Sequence, residues 1–514
     1  MQKSICQVCL IGAGPGDPGL ITAKGLQRLA NADVVVFDAL ANPALLAKAS
    51  DHAELIDVGK RAKNHKLTQD QTNQLLVDKA CEGKFVVRLK GGDPYLFGRG
   101  AEEAIYLAEH GVTCEIVPGV TSGIAAPAAA GIPVTYRELS STLTVVTGHE
   151  DPTKDNSAVD YAALAGMINS GGTVCFYMGV GRLQSIRDTL TKNGVPESKP
   201  VALVQWGTHP KQRSVRGNLQ NIVQVVQDSG ISSPAIIVVG DVAGIDKPGL
   251  GFFTDRPLFG QRIVVTRTRQ QASALSDKLR DLGADVLEAP TIEIQQPDDW
   301  NQVDQTIKEI NHYDWLILTS VNGVEALKTR MTKLGLDARQ FANLKIAAIG
   351  DATERVLKEQ LCINADLVPT RYIAESLAGE LIAEHDIKGK KVLLLRADIA
   401  RPALPKLLKE AGADVNEFVI YETKRAAALP EEVVDALEEG SVDWVTFTSS
   451  STAQNMRDLL GDKAELMNKT KTASIGHITS QTIQKCGWNI DVEAEVFNID
   501  GLVDAVVNAT EKQK

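Results

Sequence analysis

Apolar positions in the first half of the chain come in short runs separated by amphipathic stretches, the alternation of an α/β fold. Strands are predicted at 5–11, 33–38, 84–89, 113–117, 143–147, 172–177, 200–205 and 234–240. The first run ends in Gly12, Gly14, Gly16 and Gly19 and passes at once into TAKGLQRLANA. Strand, glycine turn and helix in that order form a nucleotide-type pocket at the carboxyl end of a parallel sheet. The pattern then breaks at DKPGLGFFTDRPLFGQ (246–261), where prolines and glycines interrupt any period, and this stretch reads as the joint between two halves.

Beyond the joint the chain repeats itself. GQRIVVTR (260–267) lines up with GKKVLLLR (389–396) at an offset of 129, and GADV recurs at 283–286 and 412–415 in the same register. DWLILTSVNGVEAL (314–327) matches DWVTFTSSSTAQNM (443–456), and AIGDAT (348–353) answers SIGHIT (474–479) with a shift of three residues. A period this long, seen twice, means duplicated α/β lobes and not a solenoid. Each lobe is expected to place a Thr/Ser-rich strand end (Thr319, Ser320 and Asn322; Thr448 to Thr452) and a glycine turn (Gly350, Gly476) at the carboxyl edge of a parallel sheet.

Bulk composition adds exclusions. At 514 residues the chain is too long for one core, and no apolar run approaches the ~20 residues of a membrane span. A net charge of −11 argues against nucleic acid as a partner. Seven cysteines without framework spacing argue for a reducing, cytoplasmic setting, and Cys6 and Cys9, three residues apart on one strand, point to opposite faces with no second pair to complete a metal site.

The opening turn also satisfies a dinucleotide fingerprint, GPGDPG (14–19), with Asp38 about 20 residues on, where a ribose-binding acid would sit. A pyrophosphate cradle, however, needs backbone N–H groups, and Pro15 and Pro18 have none. The turn reads as a rigid wall that lets a neutral or cationic adenosyl ligand approach the backbone.

Further turns follow in a specific order: VVVFDAL, DVGKRA, RLKGGDPYLFGRG, VPGVTSG, GIPVT, TVVTGH, YMGV, QWGT and SPAIIVVGDV. With GAGPGDPGLIT they make residues 5 to about 245 resemble the uroporphyrinogen-III C-methyltransferases within the tetrapyrrole methylases. The resemblance implies a domain of two α/β lobes over 1–245, with S-adenosyl-L-methionine between them and S-adenosyl-L-homocysteine as product, in a homodimer. It places cofactor contacts on Pro15, Gly91, Gly92, Asp93, Leu96, Thr121, Ser122, Met178 and Gly207, and the proton acceptor and donor on Asp38 and Lys60. The acceptor implied bears eight carboxylates. Arg61, Lys63, Arg88, Arg99 and Arg137 lie on or beside the motifs and are expected to pair with its anionic rim.

The rear half, 260 to about 508, is similar to uroporphyrinogen-III synthase through VVTRTRQQASALSDKLRDLGADVLEAPTIEI, VIYET and SIGHITSQTI, besides the repeated blocks. That resemblance implies ring closure of hydroxymethylbilane without cofactor or metal. It carries over Tyr421 and Thr479 as the chemically engaged side chains and Ser449, Ser450 and Ser451 as substrate contacts. It also implies that 260–295 joins 425–508 in one lobe while 296–422 forms the other, with 246–259 as linker. The expectation is thus a two-lobed tetrapyrrole methylase domain followed by a two-lobed, internally duplicated α/β synthase domain, a bifunctional enzyme of the siroheme or cobalamin branch. The rival is a sensor with a nicotinamide-dinucleotide site in front and a two-lobed binding module behind.

Overall fold

The protein was analysed as a computed structural model, which describes residues 7–50, 52–59, 67–149, 159–266 and 269–512. Contacts divide the chain into two units, Met1–Gln261 with Leu279–Asp285 and Thr510–Lys514, and Arg262–Lys278 with Val286–Ala509.

The first unit holds two five-stranded sheets. β1 (Val8–Gly12), β2 (Val34–Phe37), β3 (Glu54–Asp57), β4 (Val86–Lys90) and β5 (Cys114–Val117) form an all-parallel sheet in the order β3-β2-β4-β1-β5. Its middle strands are buried on both faces, as helix-covered parallel strands must be, with Cys9, Ile11, Val35 and Val87 in one core layer and Val8, Val34, Val36 and Val86 in the other. β6 (Leu143–Thr147), β7 (Thr173–Tyr177), β8 (Pro200–Gln205), β9 (Arg213–Asn218) and β10 (Ala235–Val239) form a mixed sheet in the order β6-β7-β10-β8-β9. Here β10 runs antiparallel to both its neighbours, and β9 pairs antiparallel with β8. The parallel sheet expected around the opening turn is thus the first sheet, whereas the second is mixed.

The stretch 246–260 contains no helix or strand, yet it is not a bare tether. Phe253 and Leu258 are buried, and the Leu258 N–H donates to the Leu282 carbonyl at 2.9 Å.

In the second unit, β11 (Arg262–Val265), β12 (Asp285–Glu288), β13 (Ile292–Gln295), β14 (Trp315–Leu318), β15 (Lys345–Ala348), β16 (Lys391–Ala397), β17 (Asp414–Arg425), β18 (Trp444–Phe447), β19 (Lys471–Ser474) and β20 (Val492–Glu493) make two further sheets. Their orders are β12-β11-β18-β19-β20 and β13-β17-β16-β14-β15. Under the offset of 129 the second reads as the first, β17-β16-β14-β15 for β12-β11-β18-β19. In each set of four matched strands, two come from each copy of the repeat. Register confirms the equivalence: Ile263 faces Trp444 and Val392 faces Trp315, the same pair with the copies exchanged.

The aspartate of each DW pair pins that register. The Arg262 N–H donates to Asp443 Oδ2 at 2.7 Å and the Lys391 N–H to Asp314 Oδ2 at 2.8 Å. The Lys391 N–H, followed by the Lys390 ammonium, holds the Asp314 carboxyl below the usual carboxylate range. One boundary moves: β13 pairs antiparallel with β17, so 292–295 belongs with the 296–422 sheet and not, as expected, with 260–295.

Candidate functional site

At the carboxyl edge of the first sheet the turns after β4, β1 and β5 meet, because these three strands are neighbours. A Cβ on Gly12 would lie 2.4 Å from the Gly119 Cα and 2.6 Å from the Gly92 carbonyl oxygen, and one on Gly119 would lie 2.2 Å from that oxygen. Only glycine allows this backbone-on-backbone floor. At Gly92, with φ +69°, a Cβ would meet nothing within 4 Å, so the turn is open on its outer side. Asp93 ties the turns together: Oδ1 accepts from the Tyr95 and Leu96 N–H groups at 2.8 and 3.1 Å, and Oδ2 from Gly119 at 3.0 Å.

Most of the first turn's donors are spent internally. The Ala13 N–H donates to the Lys90 carbonyl at 2.7 Å, Gly14 to Gly92 at 3.2 Å, and Leu20 to Asp17 at 3.0 Å. The Asp17 N–H donates to Thr208 Oγ1 at 3.0 Å and the Gly19 N–H to Asp17 Oδ1 at 2.8 Å. With Pro15 and Pro18 lacking N–H groups, this turn is no cradle for a pyrophosphate.

The second sheet completes the site. β7 ends at Tyr177, and Met178 follows with φ +54° and an exposed side chain. The Tyr177 hydroxyl accepts from the Gly123 N–H at 2.6 Å and shares a 2.6 Å hydrogen bond with Thr121 Oγ1. Thr121 gives the helix Ser122–Ala129 no side-chain cap of its own, so a phenol from the other lobe satisfies that helix start. Gly207 fits because a Cβ there would lie 2.1 Å from the Ala126 Cβ, and a Cβ on Gly16 would lie 2.2 Å from the His209 ring. Burial, then the Lys211 ammonium, pushes the His209 imidazole down to about 4. Thus Pro15, Gly91, Gly92, Asp93, Leu96, Thr121, Ser122, Met178 and Gly207 sit on turns that the two lobes bring against one another. Tyr177→Phe keeps the ring but leaves the Gly123 N–H without its acceptor. We expect a loss of about 1–3 kcal/mol in urea denaturation of the first unit.

Asp38 follows β2, its Oδ1 accepting from the Leu40 N–H at 3.1 Å and its Oδ2 lying 3.7 Å from Arg88 Nη2. Arg88 departs from the expected pairing with the acceptor's rim. It is 5% exposed, on the same face of β4 as Lys90, and both cations meet the fully buried Glu103. Glu103 Oε1 accepts from Lys90 Nζ at 2.9 Å, Gln69 Nε2 at 3.1 Å and Arg88 Nε at 3.3 Å. Burial and then Arg88 lower the Lys90 pKa, with Glu103 opposing. A central strand covered by a helix leaves Arg88 no path to the surface. Arg99 is exposed, with φ +58°, and grips Glu102 through two hydrogen bonds of 3.0 and 2.7 Å. Arg137 is exposed in a turn, while Lys60, Arg61 and Lys63 lie outside the described residues.

Sequence reasoning did not single out Tyr177, Lys90 or Glu103. Two charges at alternate positions in an otherwise apolar central strand, RLK, were the available signal for the last two.

In the second unit Tyr421 is 7% exposed, its hydroxyl 3.0 Å from Ser320 Oγ and hydrogen-bonded also by the Asn322 side chain. A recess of about 150 Å³ opens beside it, lined by Trp300, Asn322, Glu325, Arg330 and Lys333 among others. Thr479 is buried in the first turn of the helix His477–Lys485, after β19, hence on the other sheet from Tyr421. The three serines are engaged locally. Ser449 Oγ caps the helix Ser450–Leu460 by accepting from the Thr452 N–H and lies 3.0 Å from Ser451 Oγ, while Ser450 Oγ donates to the Ile478 carbonyl at 3.1 Å. Among the described residues no group of three or more His, Cys, Asp or Glu could hold a metal ion, and no helix is long and apolar enough to cross a membrane.

Comparison with known proteins assigns each half separately. Residues 7–223 match the model of the tetrapyrrole (corrin/porphyrin) methylases and residues 273–504 that of uroporphyrinogen-III synthase HemD. A porphyrin biosynthesis protein HemD of Ruminiclostridium josui is 36% identical over 501 residues, covering 97% of each chain. A uroporphyrinogen-III C-methyltransferase of Bacillus subtilis (strain 168) is 41% identical over 358 residues, 70% of this chain and 72% of its own. An S-adenosyl-L-methionine-dependent uroporphyrinogen III methyltransferase of Methanosarcina barkeri is 49% identical over 242 residues, 47% of this chain and 94% of its own.

Proposed function

Since the chain belongs to the tetrapyrrole methylases over its front half and to the uroporphyrinogen-III synthases over its rear half, we propose that the rear half closes hydroxymethylbilane into uroporphyrinogen III and the front half methylates that product twice, giving precorrin-2. It is a bifunctional enzyme of tetrapyrrole biosynthesis with S-adenosyl-L-methionine as its methyl donor. The observation that carries the front-half reading is the first turn, where two prolines have no N–H and the N–H groups of Ala13, Gly14, Asp17, Gly19 and Leu20 are already bonded within the protein.

The residues fit this donor. A sulfonium compound asks for no phosphate donors, and the neighbouring cations Arg88, Lys90 and Arg99 are already paired with Glu103 and Glu102. The glycine floor and the open side of Gly92 give an adenosyl group room against the backbone. Pro15, Gly91, Gly92, Asp93, Leu96, Thr121, Ser122, Met178 and Gly207 would hold it. When bound, the cofactor supplies an electrophilic methyl group. The protein's own task is to align an electron-rich pyrrole carbon at about 3 Å and exclude water. Asp38 would take the proton released by the methylated ring and Lys60 would return one.

In the rear half, Tyr421 would protonate the departing hydroxyl so that it leaves as water, with Thr479 and Ser449 to Ser451 contacting the substrate from the other lobe. No cofactor is needed for that step. The soluble homodimer implied for the front half and a cytoplasmic setting complete the proposal.

Incubation of the full chain with hydroxymethylbilane and methyl-labelled S-adenosyl-L-methionine should yield a dimethylated ring carrying the label. Absence of label transfer, together with thermal stabilisation by a nicotinamide dinucleotide and none by S-adenosyl-L-homocysteine, would favour the sensor instead.

A further inference from the structure

We propose that Ser320 and Asn322 are positioning residues for Tyr421: together they donate two hydrogen bonds to its phenolic oxygen and so leave the phenolic proton free for the substrate's departing hydroxyl. The inference rests on the reading of Tyr421 as the proton donor of the rear half. Ser320 Oγ already accepts from the Gly323 N–H at 3.0 Å, as the cap of the helix Val321–Lys333. A hydroxyl carries one proton and two acceptor sites, so with one site filled its proton is available to Tyr421 at 3.0 Å. Asn322, 7% exposed in the first turn of the same helix, adds its side-chain bond from beside the recess. The phenolic oxygen then accepts twice, and its own O–H has only the open direction left.

The duplicated lobe is an internal comparison. At the offset of 129, Ser320 corresponds to Ser449 and Asn322 to Ser451, and Tyr421 to Ile292. Ser449 caps its helix as Ser320 does, but with no phenol opposite it turns to Ser451 Oγ at 3.0 Å. Capping therefore accounts for the serine in both copies. It does not account for an asparagine found only in the copy that has the tyrosine.

Burial pushes the Tyr421 hydroxyl up, while the bonds from Ser320 and Asn322 pull it down. The phenol so remains protonated at neutral pH, and its anion is met by two donors when the proton leaves. The charged groups near it are Arg396 in β16 and Asp398 just after it, and Glu325, Arg330 and Lys333 on the Ser320 helix. The step balances. The phenolic proton joins the departing hydroxyl as the carbon–oxygen bond breaks, water leaves, and the tyrosinate regains a proton from the pyrrole carbon that attacks and then rearomatises.

The test is a double-mutant cycle on the full chain, reading uroporphyrinogen III formation as kcat and KM for hydroxymethylbilane. Asn322→Leu and Ser320→Gly, the latter retaining an acceptable helix cap, are each expected to lower kcat about tenfold with KM within about twofold. In a Tyr421→Phe background neither should lower it further, and Ser320→Thr should keep the parent rate. A slow Tyr421→Phe chain that loses the same factor again with either substitution would leave the proton donor standing and overturn the positioning role. A Tyr421→Phe chain as fast as the parent would remove the donor and this inference with it.

Discussion

Glu103→Gln is expected to cost the first unit about 3–5 kcal/mol, because it removes the carboxylate that both buried cations meet and leaves Arg88 only the more distant Asp38 Oδ2 at 3.7 Å. Arg88 and Lys90 are 5% and 3% exposed, and both end on Glu103 Oε1. A neutral amide cannot offset two buried positive charges, and its NH2 would face donors where the carboxylate accepted them. The second carboxylate oxygen, Oε2, is buried without a partner, so the native network is itself incompletely bonded. Replacing Arg88, Lys90 and Glu103 together by apolar residues of similar volume should therefore cost far less than Glu103→Gln alone. Calorimetry checks both, the first-unit transition being the one that S-adenosyl-L-homocysteine raises. A Glu103→Gln midpoint within a degree of the parent would contradict the argument.

Asp38→Asn is expected to lower kcat for methyl transfer by about 10²–10⁴, the usual worth of a positioned base. Asparagine keeps the bond from the Leu40 N–H through its own oxygen, so the turn after β2 should persist. Asp38 makes none of the contacts that hold the glycine floor, so affinity for S-adenosyl-L-homocysteine should stay within about twofold. Cyclisation of hydroxymethylbilane by the rear half should be unchanged in the same preparation. Single-turnover methylation with labelled donor separates the loss of chemistry from the loss of binding. Retention of full kcat would remove Asp38 from the mechanism.

Much of the front half was legible because buried strands announce themselves. VCLIG, VVVF and AIIVV are continuous apolar runs, as strands covered on both faces must be. The strands that went unread, β3 (ELID) and β9 (RSVRGN), are edge strands with polar or exposed positions, where one bare side removes the hydrophobic signal. Strand direction was equally hidden. An apolar run reads the same whether β10 lies parallel or antiparallel to β7 and β8. In the site, the prolines of the first turn argued correctly against a phosphate cradle, since a missing N–H is a property of the residue. Arg88 misled because charge is visible in a sequence, whereas the helix that buries it beside Glu103 is brought there by tertiary packing.

The rear half shows the same division most plainly. The repeat by itself determined which positions of the two copies correspond, down to the aspartates that pin Arg262 and Lys391. Taken alone it left open whether β11 would pair with β14 of its own copy or with β18 of the other, because the two offer nearly the same pattern of apolar and hydrogen-bonding positions, and only the synthase resemblance grouped 260–295 with 425–508. The tertiary structure chose β18 for β11 and β14 for β16. Local pattern fixes a strand's period and inward face, but a choice between equivalent neighbours depends on connections and packing across the whole unit.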